Sequence, residues 1–174
     1  MKRTALAALI AFAGVVPVAF AQTAWTTFKS ADTSASFQAP CETKGSKTVG
    51  PRENGSPAHT DYLYLCQIAD EMYVFGFTDY EAGWKVDFDG ELKANRDNLI
   101  KGLGGATLLT SDTITYEGLR GLEFTANWMT QSRLVTSRVF IIGARPFMLA
   151  VATPINQNRA ENISRFLRSF SPPK

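Results

Sequence analysis

Three short runs of this chain are apolar at successive positions: MYVFGF at 72–77, VFIIG at 139–143 and FMLAVA at 147–152. A strand with one face in water alternates apolar and polar residues, as LEFTANW at 122–128 does. A strand that is apolar throughout has both faces buried. The three runs therefore predict a sheet with a layer of structure on each side.

Two segments have the spacing of helices and can supply those layers. In the first, apolar residues recur near helical spacing, two aspartates favour the positive N-terminus and paired glycines supply the stop. These residues are Phe88, Leu92, Leu99 and Leu103, with Asp87, Asp89 and Gly104-Gly105. This segment predicts one amphipathic helix that covers one face of the sheet.

The second helical segment lies at the C-terminal end of the chain. Ile163, Phe166, Leu167 and Phe170 recur at i, i+3, i+4 and i+7, which makes a single apolar stripe. Asn158 and Glu161 match a capping box, and Pro172-Pro173 ends the element. We expect this helix to cover the second face. The alternative is a helix reserved for a membrane or a partner, since Arg159, Arg165 and Arg168 give it a basic surface.

The remaining runs predict short strands joined by tight turns, such as Asp70-Glu71, Glu117-Gly118-Leu119 and Gly143 to Pro146. Short links indicate antiparallel neighbours. Residues 42–58 lack apolar periodicity and predict a long loop. The predicted fold class is α+β, with an antiparallel sheet of about six to seven strands sandwiched between helices.

The first 21 residues have the order of a secretory signal peptide: Lys2 and Arg3, an uncharged apolar run, and Ala19-Phe20-Ala21 as the cleavage site. We therefore expect residues 22–174 to form a single domain, exported to the periplasm of a Gram-negative bacterium or secreted. Removal of Lys2 and Arg3 lowers the number of basic residues from 18 to 16, which equals the 16 acidic residues. This charge balance argues against a nucleic-acid partner. After removal of the signal peptide we expect a monomer without a membrane span.

Cys41 and Cys66 are the two cysteines of the chain. In an exported protein the default expectation is a disulfide, and the alternative is a pair of free thiols. Their spacing excludes a redox-active CxxC motif. A bridge would close a loop of about 25 residues and stabilise the chain by roughly 3 kcal/mol.

The C-terminal half contains the runs GLRGLEF at 118–124, SRVFIIGARPFMLAVATP at 137–154 and ISRFLRSF at 163–170. With these runs it resembles the PsbP-like family, which includes the lumenal extrinsic subunit of photosystem II, Ran-binding nuclear-import factors and exported bacterial relatives of unknown role. The resemblance implies an antiparallel sheet between helical layers and a role in binding proteins. These motifs specify a fold rather than a chemistry, and no functional residue of the family is carried over.

The residues predict no catalytic or metal site. His59 is the single histidine, no G-x-S-x-G surrounds any serine, and one histidine with two cysteines leaves too few zinc ligands. We expect His59 to be an exposed residue at a strand edge. Asp87, Asp89 and Glu91 resemble a fragment of a calcium loop, but the distant bidentate glutamate is missing. We therefore predict a protein without cofactor or metal that is not an enzyme.

Candidate contact residues are few. Trp84 stands beside Lys85 in a predicted loop and suggests an exposed contact surface, and Arg165 suggests another. Glu123 and Arg138 lie on adjacent predicted strands, where the register decides whether they meet as a structural ion pair.

The leading functional hypothesis is an exported, non-enzymatic module that binds another protein or a component of the cell envelope. The alternative is a carrier of a small apolar ligand, with a pocket between the sheet and a helix.

Overall fold

The computed structural model describes residues 24–52 and 56–173, so the predicted signal peptide lies outside the described residues. The described residues form nine strands, two α-helices and a short 3₁₀ turn at Met129–Gln131. The strands are β1 (Thr26–Lys29), β2 (Ser36–Ala39), β3 (Lys44–Gly50), β4 (His59–Ile68), β5 (Glu71–Tyr80), β6 (Ala106–Tyr116), β7 (Leu119–Trp128), β8 (Arg133–Ile142) and β9 (Arg145–Pro154). The helices are α1 (Phe88–Gly102) and α2 (Ala160–Arg168).

Seven strands form one antiparallel sheet in the order β3-β4-β5-β9-β8-β7-β6, and β1 pairs with β2 in a separate two-stranded sheet. The three runs that are apolar at successive positions belong to β5, β8 and β9, which are neighbours at the centre of the large sheet. The predicted class, an antiparallel α+β sandwich, is confirmed.

The two faces of the sheet carry separate cores. Phe140 and Leu149 point to one face and pack with Phe166 of α2. Their chain neighbours Val139 and Ala150 point to the opposite face, which α1 covers. Successive side chains of a strand alternate between faces, so each central strand contributes to both cores.

The layer on the α2 face also contains the β1-β2 hairpin. Phe37 of β2 stacks on Phe75 of β5 with ring centroids 4.7 Å apart, and it meets Phe166 of α2 edge to face at 5.9 Å. Ser36 and Ser171 form a β-bridge that ties the hairpin to the residues after α2. The sheet is therefore covered on this side by a hairpin and a helix together.

The predicted loop at 42–58 is wrong in its first part, because residues 44–50 form strand β3. This strand lies at the edge of the sheet and pairs with β4 along its whole length, with Lys44 opposite Leu65 and Gly50 opposite His59. Its residues are almost all exposed, so the strand has no apolar face that could have produced a periodic pattern. Backbone hydrogen bonds to β4 hold it instead.

Two local predictions are also corrected. The β4-β5 turn is formed by Ala69 and Asp70, whereas Glu71 is the first residue of β5. Helix α2 begins at Ala160 after Arg159 as the N-cap, so the predicted capping box does not form. Asn158 Oδ1 instead accepts a hydrogen bond from the Ala160 N–H at 3.2 Å. Within residues 24–52 and 56–173, no helix is both long enough and apolar enough to cross a membrane.

Candidate functional site

A cleft of about 640 Å³ lies between α1 and the β3-β4-β5 part of the sheet. Helix α1 packs mainly on β6, β7, β8 and β9, so it leaves its side of β3, β4 and β5 largely uncovered. The cleft occupies this gap.

Strands β4 and β5 form the floor of the cleft. Their register places Asp61 opposite Thr78, and Leu63 opposite Gly76, on the side that faces α1. Because Gly76 has no side chain, the floor is low at this point and Leu63 stays 40% exposed. The floor is therefore an apolar depression beside a polar pair.

His59 stands at the β3 side of the floor. Its partner on β3 is Gly50, and a Cβ at Gly50 would lie 2.3 Å from the imidazole. The His59 ring fits in this place because residue 50 is a glycine. The prediction of an exposed histidine at a strand edge is wrong. His59 is half-buried, and β3 rather than β4 forms the edge of the sheet.

One stripe of helix α1 forms the opposite wall. Glu91, Ala94, Asn95 and Asn98 recur at i, i+3, i+4 and i+7 and line the cleft, while Leu92 points into the core. The helix is thus apolar where it covers the sheet and mainly polar where it faces the cleft.

Hydrogen bonds order the polar groups of the cleft. The Tyr80 hydroxyl donates to Glu91 Oε1, and Asn95 Nδ2 donates to the same oxygen at 2.8 Å. On the floor, Thr78 Oγ1 donates to Asp61 Oδ1 at 2.6 Å. Floor and wall are therefore joined through Tyr80 and Glu91.

The pKa of Tyr80 is raised above its usual value. Burial is the largest cause, followed by the hydrogen bond to Glu91 and by the negative charges of Glu91 and Asp61. The hydroxyl stays protonated and donates its hydrogen bond across the cleft. Both carboxylates act on this one group.

The cleft does not assemble a catalytic triad around His59. Its Nδ1 lies 3.1 Å from the Pro57 carbonyl oxygen, and its Nε2 lies 3.7 Å from Asp61 Oδ2. Among the described residues no hydroxyl is hydrogen-bonded to the ring, and no group of three or more His, Cys, Asp or Glu could hold a metal ion. The acidic residues at the start of α1 do not converge on one point: Asp89 forms an ion pair with Arg120 at 2.6 Å, whereas Glu91 faces the cleft.

The two candidate contact residues lie on different sides of the sheet. Trp84 is half-buried and lines the cleft, so the prediction of an exposed tryptophan is corrected. Arg165 is exposed on α2, where its guanidinium lies 4.7 Å from the centroid of the Trp25 ring. The structure does not bring the two residues together.

Glu123 and Arg138 are direct partners across β7 and β8. Arg138 Nε donates to Glu123 Oε2 at 2.6 Å, and its Nη1 donates to the Leu167 carbonyl at 3.3 Å. The guanidinium also lies 5.4 Å from the centroid of the Tyr116 ring. This pair is on the α2 side of the sheet and outside the cleft.

Cys41 and Cys66 form a disulfide with their Cα atoms 5.7 Å apart. The bridge joins the segment between β2 and β3 to β4, and Cys66 is fully buried. It therefore fastens the β1-β2 hairpin to the large sheet.

The sequence draws attention to Glu91 only as part of an acidic fragment, and it does not predict that this residue lies in one cleft with the other main polar residues, Asp61, Thr78, Tyr80 and Asn95. Two signals were present: polar side chains at alternate positions of β4 and β5, and a polar stripe beside the apolar stripe of α1. They become a site only when the strand register and the position of α1 are known, because these residues come from three elements.

No protein-family model matches this chain, and no curated protein matches it in sequence. In fold it is similar to cyanobacterial PsbP (CyanoP) from Synechocystis sp. PCC 6803, whose solution structure aligns with a TM-score of 0.57. The alignment covers 95% of this chain and 98% of that chain at 10% sequence identity. The predicted PsbP-like fold is thereby confirmed, and at this identity the likeness shows the fold alone.

Proposed function

We propose that this chain is an exported, non-enzymatic binding module, and that the cleft between α1 and strands β3 to β5 is its binding site. The partner is another protein or a component of the cell envelope. The signal-peptide pattern of residues 1–21 and the disulfide between Cys41 and Cys66 support export, since disulfides persist in oxidising compartments.

The cleft is the observation that carries the proposal. Ligand sites are concave, apolar for much of their surface, and supplied with a few oriented polar groups. Here Leu63 and Trp84 supply apolar surface, while Asp61, Glu91 and Asn95 are oriented by hydrogen bonds at the positions described above. A polar set of this kind supports a site that binds a ligand with polar groups of its own.

The same polar set argues against the carrier of an apolar ligand. The cleft does lie between sheet and helix, where that alternative requires a pocket. However, an apolar ligand would cover Asp61, Glu91 and Asn95 without replacing their contacts with water, which costs free energy. We therefore favour a polar partner.

The arrangement of His59 supports a binding role over catalysis. General base catalysis by this ring would require a nucleophile or a substrate proton within hydrogen-bond reach. In the described residues its nitrogens face the Pro57 carbonyl and Asp61 instead.

Photocrosslinking tests whether the cleft is the binding face. A benzophenone amino acid is placed at Asn98, on the cleft wall, or at Arg165, on the opposite side of the molecule. Each protein is incubated with the envelope fraction of its host and irradiated, and intact-mass spectrometry detects both small and macromolecular adducts. We expect a defined adduct from position 98 and none from position 165.

A blocking variant supplies the specificity control. Ala94→Trp fills the cleft from α1, whereas Lys93→Trp places the same ring on the neighbouring exposed residue outside the cleft lining. The adduct from position 98 should disappear with Ala94→Trp and persist with Lys93→Trp. An adduct from position 165 alone, or one that survives Ala94→Trp in a folded protein, contradicts the proposal.

A further inference from the structure

We propose that the group recognised in the cleft is an organic cation, an ammonium group carried by the ligand. This inference rests on the proposed function for the location of the site. It goes further by assigning the charge and the chemical class of the ligand.

The pairing of the carboxylates is the first argument. Seven acidic residues within the described part of the chain are buried or half-buried. Five of them form an ion pair with an arginine: Asp70, Glu71, Asp79, Glu81 and Glu123. The other two are Asp61 and Glu91, and both line the cleft. The two half-buried carboxylates that form no ion pair with an arginine thus lie in the same cleft.

The cleft provides no strong positive charge of its own. Its described lining contains no lysine or arginine, and the nearest basic group to Asp61 is His59, with Nε2 at 3.7 Å. A half-enclosed site with two carboxylates attracts cations and repels anions, and its low-dielectric walls strengthen both effects. Phosphorylated and carboxylated ligands are therefore disfavoured.

The aromatic residues distinguish an organic cation from a metal ion. Trp84 and Tyr80 line the same cleft, and the His59 and Tyr80 rings meet edge to face with centroids 6.4 Å apart. Aromatic faces attract ammonium and quaternary ammonium groups, whereas hard metal ions require a shell of oxygen ligands. The combination of rings and two carboxylates fits an ammonium group.

Tyr80 shows that the two carboxylates act at a common point. The negative charges of Glu91 and Asp61 both contribute to the raised pKa of this tyrosine, after burial and its hydrogen bond to Glu91. Both charges therefore act at the Tyr80 hydroxyl, and Tyr80 lines the cleft.

Two matched pairs of small probes test the inference. Choline is compared with 3,3-dimethyl-1-butanol, which has nearly the same shape without the charge, and cadaverine is compared with 1,5-pentanediol. Binding is followed by two-dimensional NMR, with the Trp84 indole and the side-chain amides of Asn95 and Asn98 as reporters. We expect at least one cation to shift these signals and to bind about tenfold more tightly than its neutral counterpart.

Charge-neutralising variants locate the effect. Asp61→Asn and Glu91→Gln keep an oxygen that accepts the hydrogen bonds from Thr78 and Tyr80, so each should fold while it weakens binding of the cation by about tenfold. Asp112→Asn removes an exposed carboxylate of β6 and should leave the affinity unchanged. Equal weakening by all three variants would indicate general charge attraction and would overturn the inference.

Other outcomes separate this inference from the proposed function. Neutral probes that bind as tightly as the cations would show a cleft that selects neutral ligands, which overturns the inference and leaves the proposed function in place. Displacement of choline by Ca²⁺ with the same NMR shifts would indicate a metal site and also overturn it. If no probe shifts the cleft signals, the inference is overturned, and the adduct from position 98 still decides the proposed function.

Discussion

Arg138 of β8 joins two elements of the structure, because it binds the Glu123 carboxylate of β7 at 2.6 Å and the Leu167 carbonyl of α2 at 3.3 Å. Only 16% of the arginine side chain is exposed. The pair is thus a fastening between the sheet and its covering helix, and it lies on the side away from the cleft.

Replacement of Arg138 should loosen this fastening. Arg138→Met keeps the apolar stem but removes both hydrogen bonds, and we expect the free energy of unfolding to fall by about 1–3 kcal/mol. Glu123→Gln is the matched control, since it leaves the bond to Leu167 intact and should cost less. Urea denaturation followed by circular dichroism measures both values, and equal losses would contradict the role assigned to Leu167.

The apolar stripe of α2 should behave as core rather than as a docking surface. Phe166 is fully buried against Phe37 and Tyr73, with ring centroids at 5.9 and 5.2 Å. We expect Phe166→Ala to destabilise the fold by about 3–5 kcal/mol, the usual cost of a large cavity. Arg165→Ala, at the preceding exposed position, should cost less than about 1 kcal/mol. A small loss at Phe166 in thermal and urea unfolding would favour a docking helix.

Gly121 lies within a regular strand, and even the smallest larger residue should destabilise the fold there. A Cβ at this position would meet the Phe140 ring and the Val139 carbonyl oxygen at 2.5 Å. Gly121→Ala is therefore expected to cost about 1–3 kcal/mol through overpacking. Gly102→Ala, at the end of α1 with nothing within 4 Å, should be neutral or stabilise by up to about 1 kcal/mol. Urea unfolding measures both variants, and an equal loss of stability in the two would contradict the close packing assigned to Gly121.

The layered fold was predictable because it rests on strong burial patterns. The apolar runs around Phe75, Phe140 and Leu149 predicted strands covered on both faces, and the stripe containing Phe166 predicted a helix that covers one of them. Strand β3 could not be predicted in the same way, since an edge strand exposed on both faces needs no apolar residue.

The candidate site was less predictable than the fold. Asp61 and Tyr80 are ordinary polar residues of two strands. Glu91 stands out in the sequence only as part of an acidic fragment at the start of α1, which does not predict its place in the cleft. The meeting of these three residues depends on the register of β4 with β5 and on how far α1 extends across the sheet. The sequence places Trp84 beside Lys85 in a loop and predicts an exposed ring, whereas its half-buried position at the cleft depends on the same arrangement.

Loss of the disulfide should weaken the attachment of the β1-β2 hairpin. The bridge between Cys41 and Cys66 spans 25 residues, and its removal is expected to cost roughly 3 kcal/mol. Urea unfolding with and without dithiothreitol measures this difference. The Cys41→Ala, Cys66→Ala double variant is the control, because a reductant should not affect it. Equal stability of the oxidised and reduced proteins would show that the bridge is not needed for the fold.

Alkaline pH should destabilise the protein through its buried tyrosines. Burial is the largest cause that raises the pKa of both Tyr73 and Tyr80 above the usual value of 10.0, and hydrogen bonds to Glu71 and Glu91 add to it. Above pH 10 the unfolded chain loses these protons while the folded chain keeps them. Stability is therefore fully present below pH 10 and falls as pH rises toward the folded-state pKa, by about 1.4 kcal/mol per pH unit for each tyrosine.

A single substitution tests this explanation of the alkaline loss. Tyr73→Phe removes one of the two ionisable groups, so unfolding free energies measured by urea between pH 8 and about 11 should decline less steeply than in the parent protein. The baseline at neutral pH is expected to fall as well, because Glu71 is only 6% exposed and loses the hydrogen bond from the Tyr73 hydroxyl. The pH dependence of the unfolding free energy reports the ionisation of Tyr73, whereas its value at neutral pH reports the lost hydrogen bond. An unchanged pH dependence would assign the alkaline loss of stability to other groups, even if the variant is less stable at neutral pH.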